Sequence, residues 1–195
     1  MNLYRATSIF LSVVFWGCSH TSTSPIQGEF KISQKSIAPG SEVLLGGKKN
    51  KLHAGNIQVG DRLDASLEDF KSDGRVTIVI VVPSVDTPVC EVQTHELGES
   101  PLIPPTMRRV TVSRDLPMAQ ARFAKEAKLT NVEYFSDYKF STFGKKSGLL
   151  IQGPELLARA VLVLDKQGVI RHLQIVPDVT ELPDLAKAVE VAKTL

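Results

Sequence analysis

Val76-Thr-Ile-Val-Ile-Val-Val82, a nearly unbroken β-branched run, constrains the fold of this chain more than any other segment. Branched side chains favour extended backbone, and apolar residues on both sides of a strand demand that both faces be covered. The run stops at Pro83, which has no N–H to give a ladder. Elements able to cover such a strand follow in the chain. Val110–Val112 reads as a second strand ending at Ser113, and Leu116-Pro117 opens a helix over Met118–Lys128. Val132–Phe135 is a weaker strand, and Ala160–Leu164 with Val169–Val176 form a hairpin around Asp165-Lys-Gln-Gly168. Pro183–Leu195 closes the chain as an amphipathic helix with Leu185, Val189 and Ala192 on one side. Upstream, Gly46-Gly47 predicts an N-terminal β-hairpin, and Asp64–Phe70 a single helical turn. The order is that of an α/β fold built on a central sheet flanked by helices.

Composition narrows the class of function. The chain has 195 residues, 43% of them hydrophobic, which suits one domain with a sizeable core. A net charge of +2 and 6% aromatic residues provide neither an electrostatic footprint nor a stacking platform for nucleic acid. His20, His53, His95 and His172 are scattered without ligand spacing, so neither a metal nor a cofactor is expected. Lys48-Lys-Asn-Lys51 reads as a solvated hairpin face. Two cysteines, Cys18 and Cys90, are too few for a disulfide scaffold and do not form a C-x-x-C pair.

The N-terminus reads as targeting. Arg5 precedes the short apolar run Ile9–Trp16, which is below the roughly 20 residues a spanning helix needs. The run ends in Gly17-Cys18, similar to the bacterial lipoprotein signal, although Phe15 and Trp16 are bulky for it. Residues 1–17 are thus expected to be a signal peptide. Cys18 is the expected lipid attachment site, and 18–42 a flexible tether from Ser19-His-Thr-Ser-Thr-Ser-Pro25 onward. A plain signal peptide or an uncleaved anchor is the other reading. The folded domain is expected over 43–195, exported to the periplasmic side of a bacterial membrane and held there by the lipid alone.

Cys90 carries the chemistry. It lies just past the carboxyl end of the buried strand, the edge at which open α/β sheets place their sites, and a helix is expected to begin at Glu91. Unpaired N–H groups and the dipole at a helix N-terminus favour a thiolate. Thr87 lies one turn earlier, within reach of the sulfur, and Pro88 stiffens the backbone between them. Taken by position alone, a lone cysteine is as readily a small buried hydrophobe.

The segment Pro83-Ser-Val-Asp-Thr87-Pro-Val-Cys90 resembles the active-site motif of the peroxiredoxins, and of their thiol peroxidase branch in particular. Val112-Ser-Arg-Asp-Leu-Pro-Met-Ala-Gln-Ala-Arg-Phe123, Leu156-Leu-Ala-Arg-Ala-Val-Leu-Val-Leu-Asp165 and Val176-Pro-Asp-Val-Thr-Glu-Leu-Pro-Asp184 agree in order and spacing. The resemblance runs from about Val43 to the C-terminus. It implies a thioredoxin-like fold of peroxiredoxin type with a central mixed sheet, a homodimer, and reduction of hydrogen peroxide and organic hydroperoxides. By the same resemblance Cys90 is the peroxidatic cysteine and Thr87 hydrogen-bonds sulfur and peroxide. Pro83 shields the thiolate, and Arg159 supports it together with the leaving oxygen.

Four departures matter. The resolving cysteine of the branch is replaced by Ala124, so an external thiol, thioredoxin-like or of low molecular weight, is expected to reduce Cys90. Three prolines in Gly98-Glu-Ser-Pro-Leu-Ile-Pro-Pro105 are expected to cut short the helix after Cys90, and the stretch 60–76 looks reduced. Glu91 is expected to place a negative charge beside the thiolate. A fold that keeps the thiol but serves as a redox sensor or binding module without turnover is the rival reading.

Overall fold

The computed structural model describes residues 30–195. Cys18, the expected signal peptide and the first part of the expected tether lie outside the described residues. The elements run β1 (Glu42–Leu45), β2 (Lys48–Lys51), β3 (Thr77–Val81), α1 (Pro88–Glu99), β4 (Arg108–Ser113) and α2 (Pro117–Glu126). There follow β5 (Glu133–Ser136), α3 (Thr142–Ser147), β6 (Ala160–Leu164), β7 (Ile170–Ile175) and α4 (Leu185–Ala192).

The β-branched run becomes β3, the middle of a five-stranded sheet ordered β5-β4-β3-β6-β7. β3 pairs parallel with β4 and antiparallel with β6, so the sheet is mixed as expected. Every residue of β3 is buried. Its side chains alternate between two cores. Ile78 and Ile80 join α1 and α4 through Leu97, Ala188 and Val189. Val79 and Val81 face Phe70, Phe143, Leu150 and Leu162 on the other side. Burying each such side chain contributes about 1.5–3 kcal/mol, which a strand exposed on either face would forgo.

β1 and β2 form the N-terminal hairpin, with Gly46 and Gly47 at φ +59° and +74° in its two-residue turn. The exposed lysines of β2 face outward. The helical turn expected at Asp64–Phe70 is a short 3-10 turn over Leu63–Ala65, and no strand lies between it and β3. α3, six residues long, was not foreseen; it starts where the Asp137 carboxylate accepts from the N–H groups of Phe143 and Gly144, both at 2.9 Å.

Two boundaries differ from the sequence reading. The helix after β3 begins at Pro88, not Glu91, because Thr87 is extended (φ −137°, ψ 146°) and proline suits the first helical position. Residues 33–37, expected within the flexible tether, are also hydrogen-bonded to the folded body. The Ser33 N–H donates to Leu182 O at 2.8 Å, Ile37 N–H to Ile175 O at 2.9 Å, and Gln174 Nε2 to Ser33 O at 2.7 Å. These bonds fasten residues 33–37 along β7 and the segment before α4, so the packed body starts before residue 43.

Candidate active site

β3 ends inside the molecule and hands the chain to a loop, Val82–Thr87, that opens at the C-terminal edge of the sheet. Pro83 is buried in that loop, Thr87 is exposed at its end, and Cys90 is the third residue of α1. Cys90 is 0% exposed. Its sulfur is nevertheless surrounded by donors. Thr87 leaves the helix without a side-chain cap and donates its hydroxyl to Cys90 Sγ at 2.8 Å. Arg159, just before β6, donates from Nη2 to the same sulfur at 3.3 Å.

Arg159 is 1% exposed and is the largest fully buried side chain among the described residues. Burial pulls its pKa below the ordinary arginine value, while the charge of Cys90 and its hydrogen bond push back. A guanidinium so placed stays charged and requires a partner that accepts. Its other two nitrogens are also held: Nη1 donates to Gln93 Oε1 at 2.6 Å and Nε to Val179 O at 2.8 Å. Gln93 is fixed in turn by donation from Nε2 to Ala160 O at 3.3 Å. Two convergent donors, one permanently cationic, suit a sulfur that bears charge; a neutral thiol is the poorer acceptor of both.

Thr87, Cys90 and Arg159 are therefore brought together at one sulfur, and Pro83 lies buried in the loop that leads to it. Gln93 was missed in the sequence. Its signal was present: Cys90, Gln93, Thr94 and Leu97 sit at i, i+3, i+4 and i+7, so two polar side chains occupy the buried stripe of α1. Glu91 behaves differently from the sequence reading. Its carboxylate lies along the outer side of α1, 4.0 Å from His95 Nε2, while His95 Nδ1 meets Glu99 at 3.0 Å. A groove of about 680 Å³ runs along that outer side between α1 and the start of α4, and neither Cys90 nor Arg159 lines it. α1 ends at Glu99, two residues before Pro101, as the prolines predicted. Ala124 is half-buried in α2.

A mixed sheet with one buried thiol in the first turn of a helix, held by a hydroxyl and a guanidinium, defines a thiol-based redox protein of thioredoxin-like fold. The family model described as Redoxin matches residues 56–191, and the chain belongs to that family. It is similar to the thiol peroxidase of Bacillus subtilis (strain 168), 35% identical over 166 residues that cover 80% of this chain and 98% of that one. The thiol peroxidase of Streptococcus pneumoniae (strain ATCC BAA-255 / R6) is 39% identical over 150 residues, 71% of this chain and 91% of its own. Among solved structures, a peroxiredoxin-like protein from Aquifex aeolicus superposes with a TM-score of 0.67 at 31% identity, covering 81% of this chain and 99% of that one. A thiol peroxidase from Chromobacterium violaceum shares the fold at a TM-score of 0.64 and 16% identity, covering 79% and 96%.

Proposed function

We propose that this chain is a thiol-dependent peroxidase in which Cys90 alone attacks the peroxide and an external thiol restores it. The convergence of Thr87 Oγ1 and Arg159 Nη2 on Cys90 Sγ carries the reading. The Cys90 thiolate attacks the terminal oxygen of R–O–O–H. The S–O bond forms as the O–O bond breaks, leaving cysteine sulfenic acid and an alkoxide that takes a proton to become R–OH. Arg159 and Thr87 supply donors where that oxygen charge develops. Pro83, buried within the loop, is assigned the part of keeping water off the sulfur.

Cys90 is the only cysteine among the described residues. With Ala124 at the place of a resolving cysteine, a thiol R′–SH attacks the sulfenic sulfur, releasing water and leaving a Cys90–S–S–R′ mixed disulfide. A second thiol then displaces Cys90 as thiolate and forms the R′ disulfide. Stopped-flow oxidation of Cys90 by hydrogen peroxide tests the reading. The expected rate exceeds that of a free thiol by about 10³-fold and falls at least 10²-fold in Arg159→Lys. A rate equal to a free thiol favours the sensor or binding module instead.

The dimer, the lipid and the location belong to the same proposal. Leu116, Met118, Tyr138 and Phe140 are exposed on the segments that follow adjacent strands β4 and β5, at the edge where the active-site loop opens. Burying them against a second copy makes a homodimer, and Phe140→Asp is expected to leave a monomer in sedimentation velocity. Cys18 is the proposed lipid attachment site of an exported protein on the periplasmic side of its membrane. Mass spectrometry of the mature N-terminus tests this: a chain that begins upstream of Cys18 without an acyl group contradicts it.

A further inference from the structure

The carboxylate of Asp115, a residue with no place in the reaction above, gathers the active-site loop. Its Oδ1 accepts from Ser84 Oγ at 2.7 Å, and its Oδ2 accepts from the Val85 N–H at 2.7 Å and from Ser113 Oγ at 2.7 Å. Its carbonyl accepts from Ser136 Oγ. Ser113 Oγ accepts in turn from Gln120 Nε2 at 2.9 Å, whose other hydrogen bond is to Phe135 O at 3.0 Å. The Asp115 carboxylate thus ties the loop carrying Pro83 and Thr87 to Ser113 at the end of β4, while the Asp115 carbonyl and Gln120 extend the network to β5 and α2. Pro83 and Val85 anchor the start of the loop by burial, whereas Asp86, Thr87 and Pro88 are exposed and their loop contacts are local, Asp86 N–H to Ser84 Oγ at 3.1 Å and Thr87 Oγ1 to Ser84 O at 3.5 Å.

The two halves of the proposed cycle ask opposite things of that loop. A peroxide needs Thr87 held over the sulfur and only a small displacement to admit two oxygen atoms. A reductant must bring its own sulfur in line with the S–O bond of a residue that is 0% exposed, so the first turn of α1 must swing away from Arg159. We infer that Asp115 is a positioning residue that latches the loop 83–87, speeding oxidation of Cys90 and limiting its reduction by an external thiol. This rests on the one-cysteine cycle proposed above.

The test compares wild type with Asp115→Ala and Ser84→Ala; the latter removes the Ser84 hydroxyl that donates to Asp115 and accepts from the Asp86 N–H at 3.1 Å, and leaves Ser113 and Ser136 in place. Amide hydrogen exchange of the 84–91 segment, read by mass spectrometry, is expected to quicken in both variants, more in Asp115→Ala, with β3 and β6 unchanged. Stopped-flow oxidation by hydrogen peroxide is expected to fall about 10-fold in Asp115→Ala. Reduction of the sulfenic acid by dithiothreitol is expected to rise by a similar factor, and Ser84→Ala to shift both rates in the same senses by less. Exchange that is unchanged at 84–91, or both rates falling together as for a merely damaged fold, overturns the latch. A wild-type Cys90 no faster than a free thiol fails the peroxidase reading and the rate split built on it, while the exchange comparison still decides whether Asp115 holds the loop.

Discussion

Thr87 directs its hydroxyl at Cys90 Sγ, and no side chain caps the N–H groups of α1. Its removal therefore separates chemistry from stability. Thr87→Val keeps the shape and loses the donor, so oxidation by peroxide is expected to slow by about 10²-fold, and Thr87→Ser to retain most of it. Because Thr87 is exposed and caps nothing, the thermal midpoint of Thr87→Val is expected to stay within about 1 °C of wild type. At this scale the sequence was explicit about Cys90, Thr87, Pro83 and Arg159, since each falls in a motif of fixed spacing. Gln93 and Asp115 were not legible. Gln93 acquires its meaning only from Arg159, 66 residues later, and Asp115 only from a loop 30 residues earlier. A polar residue on a buried stripe announces that a partner exists and does not name it.

Among the elements, the hairpin segment and α3 meet at a contact that admits no side chain. A Cβ on Gly55 would lie 2.2 Å from Gly148 N and 2.3 Å from Lys145 O, both backbone atoms that have no room to yield. Gly148 itself has φ +72° at the end of α3. Gly55→Ala is expected to cost about 3 kcal/mol in urea denaturation through overpacking. Gly46→Ala, with a positive φ but open space around it, is expected to cost about 1 kcal/mol for the left-handed backbone alone. An equal loss at both positions contradicts this account. β3, the β6–β7 hairpin and α4 were readable because periodicity and turn chemistry act within a few residues. α3 was not, because its N-terminus is held by Asp137 across a turn and its Phe143 is helical only to reach the core. The start of α1 at Pro88 also escaped the reading, although proline at a first helical turn is a recognisable signal.

For the whole molecule, pH enters through His172 on β7. Its Nε2 is buried without a hydrogen-bond partner, and burial, with Lys187 adding to it, pulls its pKa below 6.5 despite an opposing pull from Asp184. The unfolded chain thus takes up this proton at a higher pH than the folded one. The stability linked to neutral His172 is complete above pH 6.5 and is lost as pH falls below that value. Urea midpoints at pH 7.5 and 5.5 check the sign: the drop is expected to be smaller in His172→Gln than in wild type. No helix among the described residues is long and apolar enough to cross a membrane.

By itself the sequence determined that a two-faced strand must lie at the centre and that a thiol sits at its carboxyl end. It also placed a threonine one turn before that thiol, because strand burial, helix starts and motif spacing are local properties. The tertiary structure alone decided how the distant groups around the sulfur reach it. A mixed sheet order sets β6 beside β3, and this carries Arg159 across 69 residues of chain to Cys90. The pairing of β3 with β4 likewise brings Asp115 to the loop that holds Thr87. Local spacing encodes which groups are reactive. Long-range packing encodes which charges and hydrogen bonds they meet, since those depend on strand neighbours that sequence distance does not reveal.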